Sequence, residues 1–349
     1  MSRFRAEIAE QPAVARRVLA ASRQAVGHAA AAVGARAVSG LVIAARGSSD
    51  HAATYAKYLF ELRNRLPVSL AAPSEYTKYL RPPRLDRFCV LAISQSGSSP
   101  DVVAVVREGR LQGALTLAIT NQPGSDLARE AELVLPMDAG AERSVPASKT
   151  YTASLLVVAL LSCALEPDSR FRDALADVPS ALEKALRVEE QAASLAHAIH
   201  SDRMMADRMI VLGRGYHLAT AQEVALKLTE TSHVLAQAQS VADFLHGPVA
   251  VVEAGLPALL VDSEGPAQAD VEAAATLLRD RGARVVQLTD RAEPWPGVEA
   301  TITLPTGLPE ALTPLPFAVA GQLLAYHLAR SRGLDPDHPR QLQKVTRTW

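Results

Sequence analysis

Residues Ser94–Ser99 combine four serines and a glutamine around one glycine, a composition able to bind an anion. The segment follows the apolar run Phe88–Ile93 and precedes Pro100–Gln112, whose apolar residues recur at helical spacing. Free backbone N–H groups, serine hydroxyls and the positive end of a helix together make a site for a phosphate dianion. Serine and glycine clusters more commonly cap helices and fill turns. The segment is therefore a candidate phosphate site, and the rest of the chain has to decide between these two uses.

Other common routes to nucleotide or nucleic-acid binding are absent from the sequence. The chain has no Walker-type Gly-Lys-Ser/Thr sequence and no Gly-x-Gly-x-x-Gly after its first predicted strand. Its 36 basic and 37 acidic residues give a formal net charge of −1, and no basic block alternates with aromatic residues. A nucleic-acid partner is therefore not expected.

Composition also limits the compartment and the cofactors. The two cysteines, Cys89 and Cys163, are too few for a disulfide framework and fit a reducing compartment. The longest apolar run, Leu155–Leu165, is shorter than a bilayer-spanning helix, and no secretory segment opens the chain. His197 and His200 lie three residues apart, but no cysteine or carboxylate cluster completes a metal site. We therefore expect a soluble, cytoplasmic protein with no membrane contact, no metal ion and no other cofactor.

The chain contains two copies of one pattern. Leu41–Gly47 recurs as Met209–Gly215, 168 residues further on, and Ser96–Gly97 matches Glu264–Gly265 at the same offset. In the second copy the turn carries carboxylates, at Asp262 and Glu264, where the first copy has serines, and these would repel an anion. The sequence therefore predicts a duplicated domain in which only the first copy binds phosphate.

Short apolar runs alternate with helical periodicity in both copies, which predicts parallel strands separated by helices. The predicted strands are Leu41–Ala45, Phe88–Ile93, Leu115–Ile119 and Glu132–Leu135 in the first copy, and Met209–Leu212, Ala258–Asp262, Arg284–Leu288 and Ala300–Leu304 in the second. The predicted helices that follow strands are Asp50–Leu62, Pro100–Gln112, Ala219–Thr231 and Ala267–Arg281. The fold class is therefore α/β, with two tandem flavodoxin-like three-layer αβα domains, each a parallel sheet flanked by helices, related by internal duplication.

Segments outside the two sheets complete the predicted organisation. Phe4–Val38 is amphipathic and would form one or two helices, and Arg170–His200 would form a long helical connection. Phe317–Arg330 is a predicted helix, and the proline-containing tail from Gly333 is predicted to be irregular. The predicted parts are an N-terminal helical segment, a phosphate-binding domain, a second domain and a C-terminal tail that would reach the active site, at residues 1–40, 41–185, 195–332 and 333–349.

Eight dispersed segments of the chain resemble a known family. They are Glu7–Pro12, Arg46–Ser49, Ser94–Gly97, Ala139–Glu142, Gly213–Gly215, Ala225–Glu230, His246–Pro248 and Asp337–Arg340. The family is the sugar isomerase (SIS) superfamily. Over nearly its whole length the chain resembles the isomerase half of glucosamine-6-phosphate synthase and the single-chain SIS-type glucosamine-6-phosphate deaminases. Arg46–His51 is closer to the deaminase type, because the synthase usually has Cys-Gly-Thr-Ser there.

The resemblance implies a set of substrate-binding residues. Phosphate would lie on Ser94, Gln95, Ser96 and Ser99, and Ser49 would lie near the sugar hydroxyls; Gly47 and Glu142 also belong to this set. Ala139–Tyr151, which contains Glu142 and Lys149, resembles the family's lid over the sugar. Pro146 and Ala147 depart from the family's usual pattern in that segment, and Asp243 stands where the family usually has glutamate.

The same resemblance implies a catalytic set of Glu230, His246, Lys344 and Lys227. Isomerising a sugar phosphate requires ring opening, movement of a proton between C1 and C2, and stabilisation of an enediol-like charge. His246 could exchange a proton with the ring oxygen, since a free imidazole titrates at about pH 6.5. Glu230 could move the C1/C2 proton while Lys227, on the same helical face, holds its carboxylate. Lys344 would approach the open-chain sugar as an amine or a positive charge.

Each catalytic candidate also has an ordinary structural interpretation. A lysine and a glutamate three residues apart on a helix, such as Lys227 and Glu230, are usually a solvated ion pair. His246 precedes Gly-Pro and could belong to a turn, and Lys344 could be a solvated charge in the tail. The resemblance favours the catalytic interpretation of all these residues.

The resemblance predicts a glucosamine-6-phosphate deaminase, which would isomerise the amino sugar phosphate and release ammonia to give fructose 6-phosphate. The chain enters the isomerase-like segment without a glutaminase domain, so glutamine is not the expected nitrogen donor. A deglycase or aminotransferase-like isomerase on another sugar 6-phosphate is one alternative, and a non-catalytic sugar-phosphate sensor is another. The family also predicts a homodimer in which His246 acts in the neighbouring subunit's site.

Overall fold

The computed structural model describes residues 2–201 and 207–344, which form two compact units. The first-sheet unit consists of Ala13–Glu142, Lys149–Ala176 and Gln343–Trp349. The second-sheet unit consists of Met1–Pro12, Arg143–Ser148 and Asp177–Leu342. Each unit contains one sheet and is described by itself below.

Both sheets are parallel and have the same strand order. The first contains β1 Leu41–Ala44, β2 Val68–Leu70, β3 Cys89–Ile93, β4 Leu115–Thr120 and β5 Leu133–Pro136, in the order β2-β1-β3-β4-β5. The second contains β6 Arg208–Gly213, β7 Leu235–Ser240, β8 Pro257–Asp262, β9 Arg284–Thr289 and β10 Ala300–Thr303, in the order β7-β6-β8-β9-β10. The shared order is that of flavodoxin-like folds, so the predicted fold class and duplication are confirmed.

Helices follow the strands in both copies, and three further helices precede β1. In chain order they are α1 Arg3–Ala9, α2 Gln11–Ala21, α3 Arg23–Ala35, α4 Ser48–Arg63, α5 Ser74–Thr77, α6 Pro100–Leu111, α7 Asp126–Glu130, α8 Lys149–Leu165, α9 Ser169–Leu186, α10 Glu189–Ser201, α11 His217–Ser232, α12 Val241–Leu245, α13 Gln268–Asp280 and α14 Pro314–Ser331. Short 3-10 helices cover Pro248–Val251 and Glu310–Leu312.

The order of the strands places a crevice in each sheet. In the first sheet the chain runs outward in opposite directions from β1 and from β3, which are neighbours. Ligands of such sheets bind where the direction reverses, beyond the carboxyl ends of the strands. The helices that begin at this edge are α4 after β1 and α6 after β3. The equivalent edge of the second sheet lies at β6 and β8, where α11 and α13 begin.

Apolar burial holds the helices on the sheets. Residues of β1 and β3 pack against α6 in a cluster that includes Val42, Val90, Val102, Val105 and Val106, all buried. A buried aliphatic side chain of this size stabilises the fold by about 1.5–3 kcal/mol, so these contacts hold each helix on its strands. The second sheet has the matching cluster, with Leu212, Leu260, Val271, Ala274 and Leu278.

The predicted central strands are confirmed, but the second strand of each copy, β2 and β7, was missed. β2 has three residues, of which only Val68 is buried, and β7 alternates apolar and polar residues that are half-buried or exposed. Both lie at a sheet edge and are paired on one side only. An edge strand needs no continuous apolar run, which was the signal used to find the others.

Two segments contain more helices than the sequence predicted. The N-terminal segment forms three helices rather than one or two, with a break before Pro12, whose ring and missing N–H disfavour continuation of α1. The predicted connection Arg170–His200 is two helices, α9 and α10, separated at Arg187 and Val188. Residues 333–344 contain neither helix nor strand, as predicted, and residues 345–349 of the predicted tail lie outside the described residues. None of the described helices is long and apolar enough to cross a bilayer.

Candidate functional site

The Ser94–Ser99 loop joins the end of β3 to the start of α6. Ser99 is the N-cap of α6, but its hydroxyl makes no capping hydrogen bond, and Pro100 occupies the first helical position. Within the described part of the chain, the backbone N–H groups of Ser96 and Ser99 donate to no protein acceptor. Unused amide donors at a helix N-terminus are the groups that bind anions, so the loop has the geometry of a phosphate site.

Hydrogen bonds inside the loop orient the serine hydroxyls. Ser94 Oγ accepts the N–H of Gly97 at 3.1 Å, and Ser96 Oγ accepts the N–H of Ser98 at 3.3 Å. A hydroxyl that accepts a hydrogen bond keeps its own proton to donate. Both serines can therefore hold the loop and donate to an anion at the same time.

The loop after β4 supports the Ser94–Ser99 loop through backbone hydrogen bonds. The N–H of Asn121 donates to the carbonyl of Gln95 at 3.2 Å, and the N–H of Leu127 donates to the carbonyl of Gly97 at 3.0 Å. Gly97 has a φ of 60°, and a Cβ on it would lie 2.1 Å from Ser125 Oγ. The position therefore requires glycine for both its backbone angle and its contact.

Arg46 and Gly47 lie between β1 and α4, and Ser49 is the second residue of α4. Arg46 Nε donates to Asp101 Oδ2 at 2.7 Å, and Asp101 is a buried residue in the first turn of α6. Gly47, the N-cap of α4, has a φ of 55°, and the N–H of Ser49 donates to the carbonyl of Arg46. The candidate residues of this loop and of Ser94–Ser99 thus come from the two segments that start at the β1–β3 edge.

Glu142 and Lys344 form an ion pair in the first-sheet unit. Lys344 Nζ donates to Glu142 Oε2 at 2.6 Å, and the side chain of Glu142 is fully buried. The N–H and the hydroxyl of Thr150 also donate to this carboxylate, at 3.1 and 2.8 Å. The pair brings together two residues that were assigned to different parts of the predicted site.

Lys227 and Glu230 lie on α11 in the second-sheet unit. The distance from Lys227 Nζ is 2.5 Å to Glu230 Oε2 and 3.6 Å to Glu223 Oε1. The side chains of Lys227 and Glu223 are 1% exposed and that of Glu230 is 22% exposed. The pair is therefore a buried cluster with one accessible carboxylate, and not the solvated ion pair that is usual at this spacing.

Sequence reasoning missed Glu223 as a member of this cluster. Its position four residues before Lys227 on the same helical face was the available signal. His246 ends α12 in the same unit and is exposed, and its ring forms no hydrogen bond within the described residues. An exposed imidazole is free to contact a ligand or another chain.

The segment Arg143–Ser148 is anchored by the N-terminal helix. Glu7, a buried residue of α1, accepts the N–H of Arg143 at 2.5 Å and the hydroxyl of Ser144 at 2.6 Å. Gln322 on α14 donates to the carbonyl of Ser148. The residues that precede and follow this segment in the chain, Glu142 and Lys149, belong to the first-sheet unit.

In the second copy, the carboxylate of Glu310 lies close to the turn that is equivalent to Ser94–Ser99. Asp262 points into the sheet, where Gln287 and Thr289 donate to it, and burial raises its pKa to about 6. The carboxylate of Glu310 lies over the turn instead, since a Cβ on Gly265 would be 2.6 Å from Glu310 Oε2. Burial, and then the charge of Asp290, raises the pKa of Glu310.

No group of three or more histidine, cysteine, aspartate or glutamate side chains within residues 2–201 and 207–344 is arranged to hold a metal ion. The donors collected at the β1–β3 edge are amides, hydroxyls and a guanidinium, which suit an anion.

Comparison with known proteins identifies the family. A family model described as the SIS domain matches residues 38–164 and 204–329. These matches cover more than half of the chain, so the protein belongs to the SIS domain family, as the resemblance predicted. The chain is also homologous to the isomerase domain of glutamine–fructose-6-phosphate aminotransferase. It is 35% identical to that enzyme from Thermococcus kodakarensis over 314 residues, which are 87% of this chain and 51% of the relative.

Solved structures have the same fold. A proposed phosphosugar isomerase from Silicibacter pomeroyi DSS-3 is 36% identical, with a TM-score of 0.86 over 97% of this chain and 100% of the other. The glucosamine-6-phosphate deaminase of Thermotoga maritima is 21% identical, with a TM-score of 0.77 over 99% of this chain and 100% of the other, a likeness of fold alone. The chain spans about half the length of the curated relatives that it matches.

Proposed function

We propose that the protein is a sugar-phosphate isomerase that deaminates its substrate, converting glucosamine 6-phosphate into fructose 6-phosphate and ammonia without glutamine. The observation that carries the proposal is the Ser94–Ser99 loop, with unused amide donors and oriented hydroxyls at the start of α6. The homology to the isomerase domain of the aminotransferase supports the sugar phosphate as the class of substrate. The deaminase-like residues Arg46–His51 favour loss of ammonia.

The proposed chemistry divides between binding and proton transfer. Ser94, Gln95, Ser96 and Ser99 bind the phosphate, and Ser49 binds sugar hydroxyls. Glu230 moves the proton between C1 and C2, because it is the accessible carboxylate of a cluster in which Lys227 holds it in one orientation. His246 exchanges the proton of the ring oxygen.

Lys344 acts as a positive charge and not as a nucleophilic amine. It donates to a fully buried carboxylate at 2.6 Å, so Glu142 holds the ammonium group in one position. A cation held in this way can stabilise developing negative charge on the open-chain sugar without forming a bond to it. We further propose that the protein is a homodimer in which His246 serves the partner's site, for which the exposed, unbonded ring is the supporting observation.

The test is to incubate the purified protein with glucosamine 6-phosphate, without glutamine, and to measure ammonia and fructose 6-phosphate. We expect equal amounts of both products from the wild type and a loss of at least about a hundredfold in Glu230→Gln, the usual size of a general-base contribution. Glu130→Gln is the matched control, because it removes a carboxylate from a surface ion pair with Arg107. It should retain wild-type activity.

Two outcomes would contradict the proposal in different ways. Interconversion of sugar phosphates without ammonia would leave an isomerase that acts on another sugar 6-phosphate. Stabilisation of the folded protein by sugar phosphates without any turnover would indicate a sensor.

A further inference from the structure

We propose that Arg46 binds the phosphate of the substrate and supplies the positive charge that selects a phosphate dianion over an uncharged sugar. The inference rests on the proposed function, because it concerns the same phosphate site. Neither Ser94–Ser99 nor the first turns of α4 and α6 contain a lysine or an arginine. Arg46 immediately precedes Gly47, the N-cap of α4, and is a basic residue at this edge of the sheet.

One edge of the Arg46 guanidinium is fixed by an ion pair with Asp101. Arg46 Nε donates to Asp101 Oδ2 at 2.7 Å, while Asp101 Oδ1 accepts the N–H of Val102 within the first turn of α6. Asp101 is 2% exposed, so its carboxylate is a rigid support. The guanidinium is thereby held at the N-terminus of the helix that follows the phosphate loop.

The other edge of the guanidinium is available. The Arg46 side chain is 51% exposed, and its two terminal nitrogens form no hydrogen bond or ion pair within the part of the chain that the structure describes. A guanidinium has five N–H donors, of which Asp101 uses the one on Nε. The remaining donors form the fork that matches two oxygens of a phosphate.

The guanidinium supplies a full positive charge, which the Ser94–Ser99 loop lacks. Each helix N-terminus supplies about half a positive charge, and serine hydroxyls supply none. A phosphate monoester carries about two negative charges at neutral pH. A formal cation beside the loop therefore adds charge recognition to the hydrogen bonding of the serines.

The duplicated copy contains the same ion pair without the phosphate loop. Arg214 Nε lies 2.6 Å from Asp270 Oδ2, at the positions equivalent to Arg46 and Asp101. In that copy the carboxylate of Glu310 lies over Gly265, and the hydroxyl-rich turn is missing. The pair by itself is therefore a structural clamp between two loops, and Arg214 is a control built into the same chain.

Isothermal titration with inorganic phosphate and with fructose 6-phosphate tests the proposal. Arg46→Gln should weaken binding of both by about tenfold to a hundredfold, the range expected for a lost charged hydrogen bond, and Arg46→Lys by less. Arg214→Gln should bind like the wild type. Asp101→Asn separates charge from clamping, because it removes the carboxylate that positions the guanidinium but leaves the cation, so it should weaken phosphate binding less than Arg46→Gln does.

The outcomes distinguish this proposal from the proposed function. Circular dichroism and thermal melting first establish that each variant is folded. Binding by folded Arg46→Gln within twofold of wild type would overturn the role of Arg46, and so would an equal loss in Asp101→Asn, which would make the pair only a clamp. A wild type that binds no phosphate compound would overturn both proposals. Phosphate binding that depends on Arg46, without release of ammonia, would overturn only the deaminase.

Discussion

Gly97 has a φ of 60°, and a methyl group on its Cα would lie 2.1 Å from the hydroxyl oxygen of Ser125. The residue is therefore constrained twice, by its own backbone and by the loop that supports it. Its N–H also orients Ser94. A change at this single position should disturb the phosphate loop more than its small size suggests.

We predict that Gly97→Ala destabilises the protein by about 2–4 kcal/mol, the combined size of a left-handed backbone angle and an overpacked contact. Urea unfolding measures this loss, and phosphate affinity should fall with it. Gly113→Ala is the control, because Gly113 has a φ of 81° but no neighbouring atom within 4 Å of an added Cβ. It should cost only the backbone part, about 1–2 kcal/mol. Equal losses in both variants would show that Ser125 moves aside.

The raised pKa of Asp262 should make the stability of the fold depend on pH. Burial raises its pKa to about 6 in the folded protein, above the ordinary value of 3.8, so the folded state binds the proton more tightly than the unfolded state does. Protonation of Asp262 therefore contributes stability that is fully present below pH 3.8 and is lost as the pH rises through about 6. Two pH units correspond to about 3 kcal/mol at most.

The variant Asp262→Asn should remove this dependence, since an amide can still pair with Gln287 and Thr289. We expect it to be more stable than the wild type by about 1–3 kcal/mol at pH 8, with the difference vanishing below pH 4. Burial lowers the pKa of His217 to about 3, which has the opposite effect, a loss of stability as the pH falls below 6.5. Because both proteins contain His217, the difference between their urea unfolding curves isolates Asp262. A constant difference across this range would contradict the prediction.

At the scale of elements, one carboxylate connects the start of α1 with the segment that follows α14. Asp337, in the segment that follows α14, accepts hydrogen bonds from Ser2 Oγ and from the N–H groups of Arg3 and Phe4 at 2.7–2.9 Å. Helix N-termini leave such N–H groups without partners, and a negative charge there also interacts favourably with the helix dipole. The segment after α14 therefore caps α1.

We predict that Asp337→Ala destabilises α1 by about 1–2 kcal/mol, the cost of losing a helix cap. Hydrogen exchange should show faster amide exchange in α1, whose Glu7 anchors Arg143 and Ser144. Asp280→Ala removes an exposed carboxylate that pairs with Arg279 at the end of α13, and should leave α1 unchanged. Faster exchange in both variants, or in neither, would contradict capping by Asp337.

At the scale of the whole molecule, the prediction concerns the assembly of chains. His246 is exposed at the end of α12, whereas Glu230 belongs to the buried cluster on α11. If His246 serves the partner's site, two inactive variants can complement each other. Mixing His246→Ala with Glu230→Gln should restore up to about a quarter of the activity, because random pairing makes about half of the dimers mixed and only one of the two sites in a mixed dimer receives both residues. No activity from mixed dimers confirmed by mass spectrometry would show that each chain uses its own histidine.

The tertiary fold supplied partners that no local pattern contained. Asp101 lies 55 residues from Arg46, and Glu142 lies 202 residues from Lys344. A charged residue read from sequence alone is expected to be solvated, and only the fold decides whether another charge is within reach. In both copies an arginine after the first strand is followed by an aspartate, 55 residues after Arg46 and 56 after Arg214, and this near-repeat was a usable signal for one of these pairs.

The sequence by itself determined the duplication, the central strands and the position of the Ser94–Ser99 loop between a strand and a helix. These features follow from short-range periodicity and from turn residues, which act within a few positions of each other. Tertiary structure decided the edge strands, the burial of Lys227 and the carboxylate that closes the second copy's turn. Burial and long-range pairing depend on which segments the sheet brings together. The pairing of β6 with β8 and the approach of Glu310 to Gly265 each join distant parts of the sequence, so no single segment encodes them.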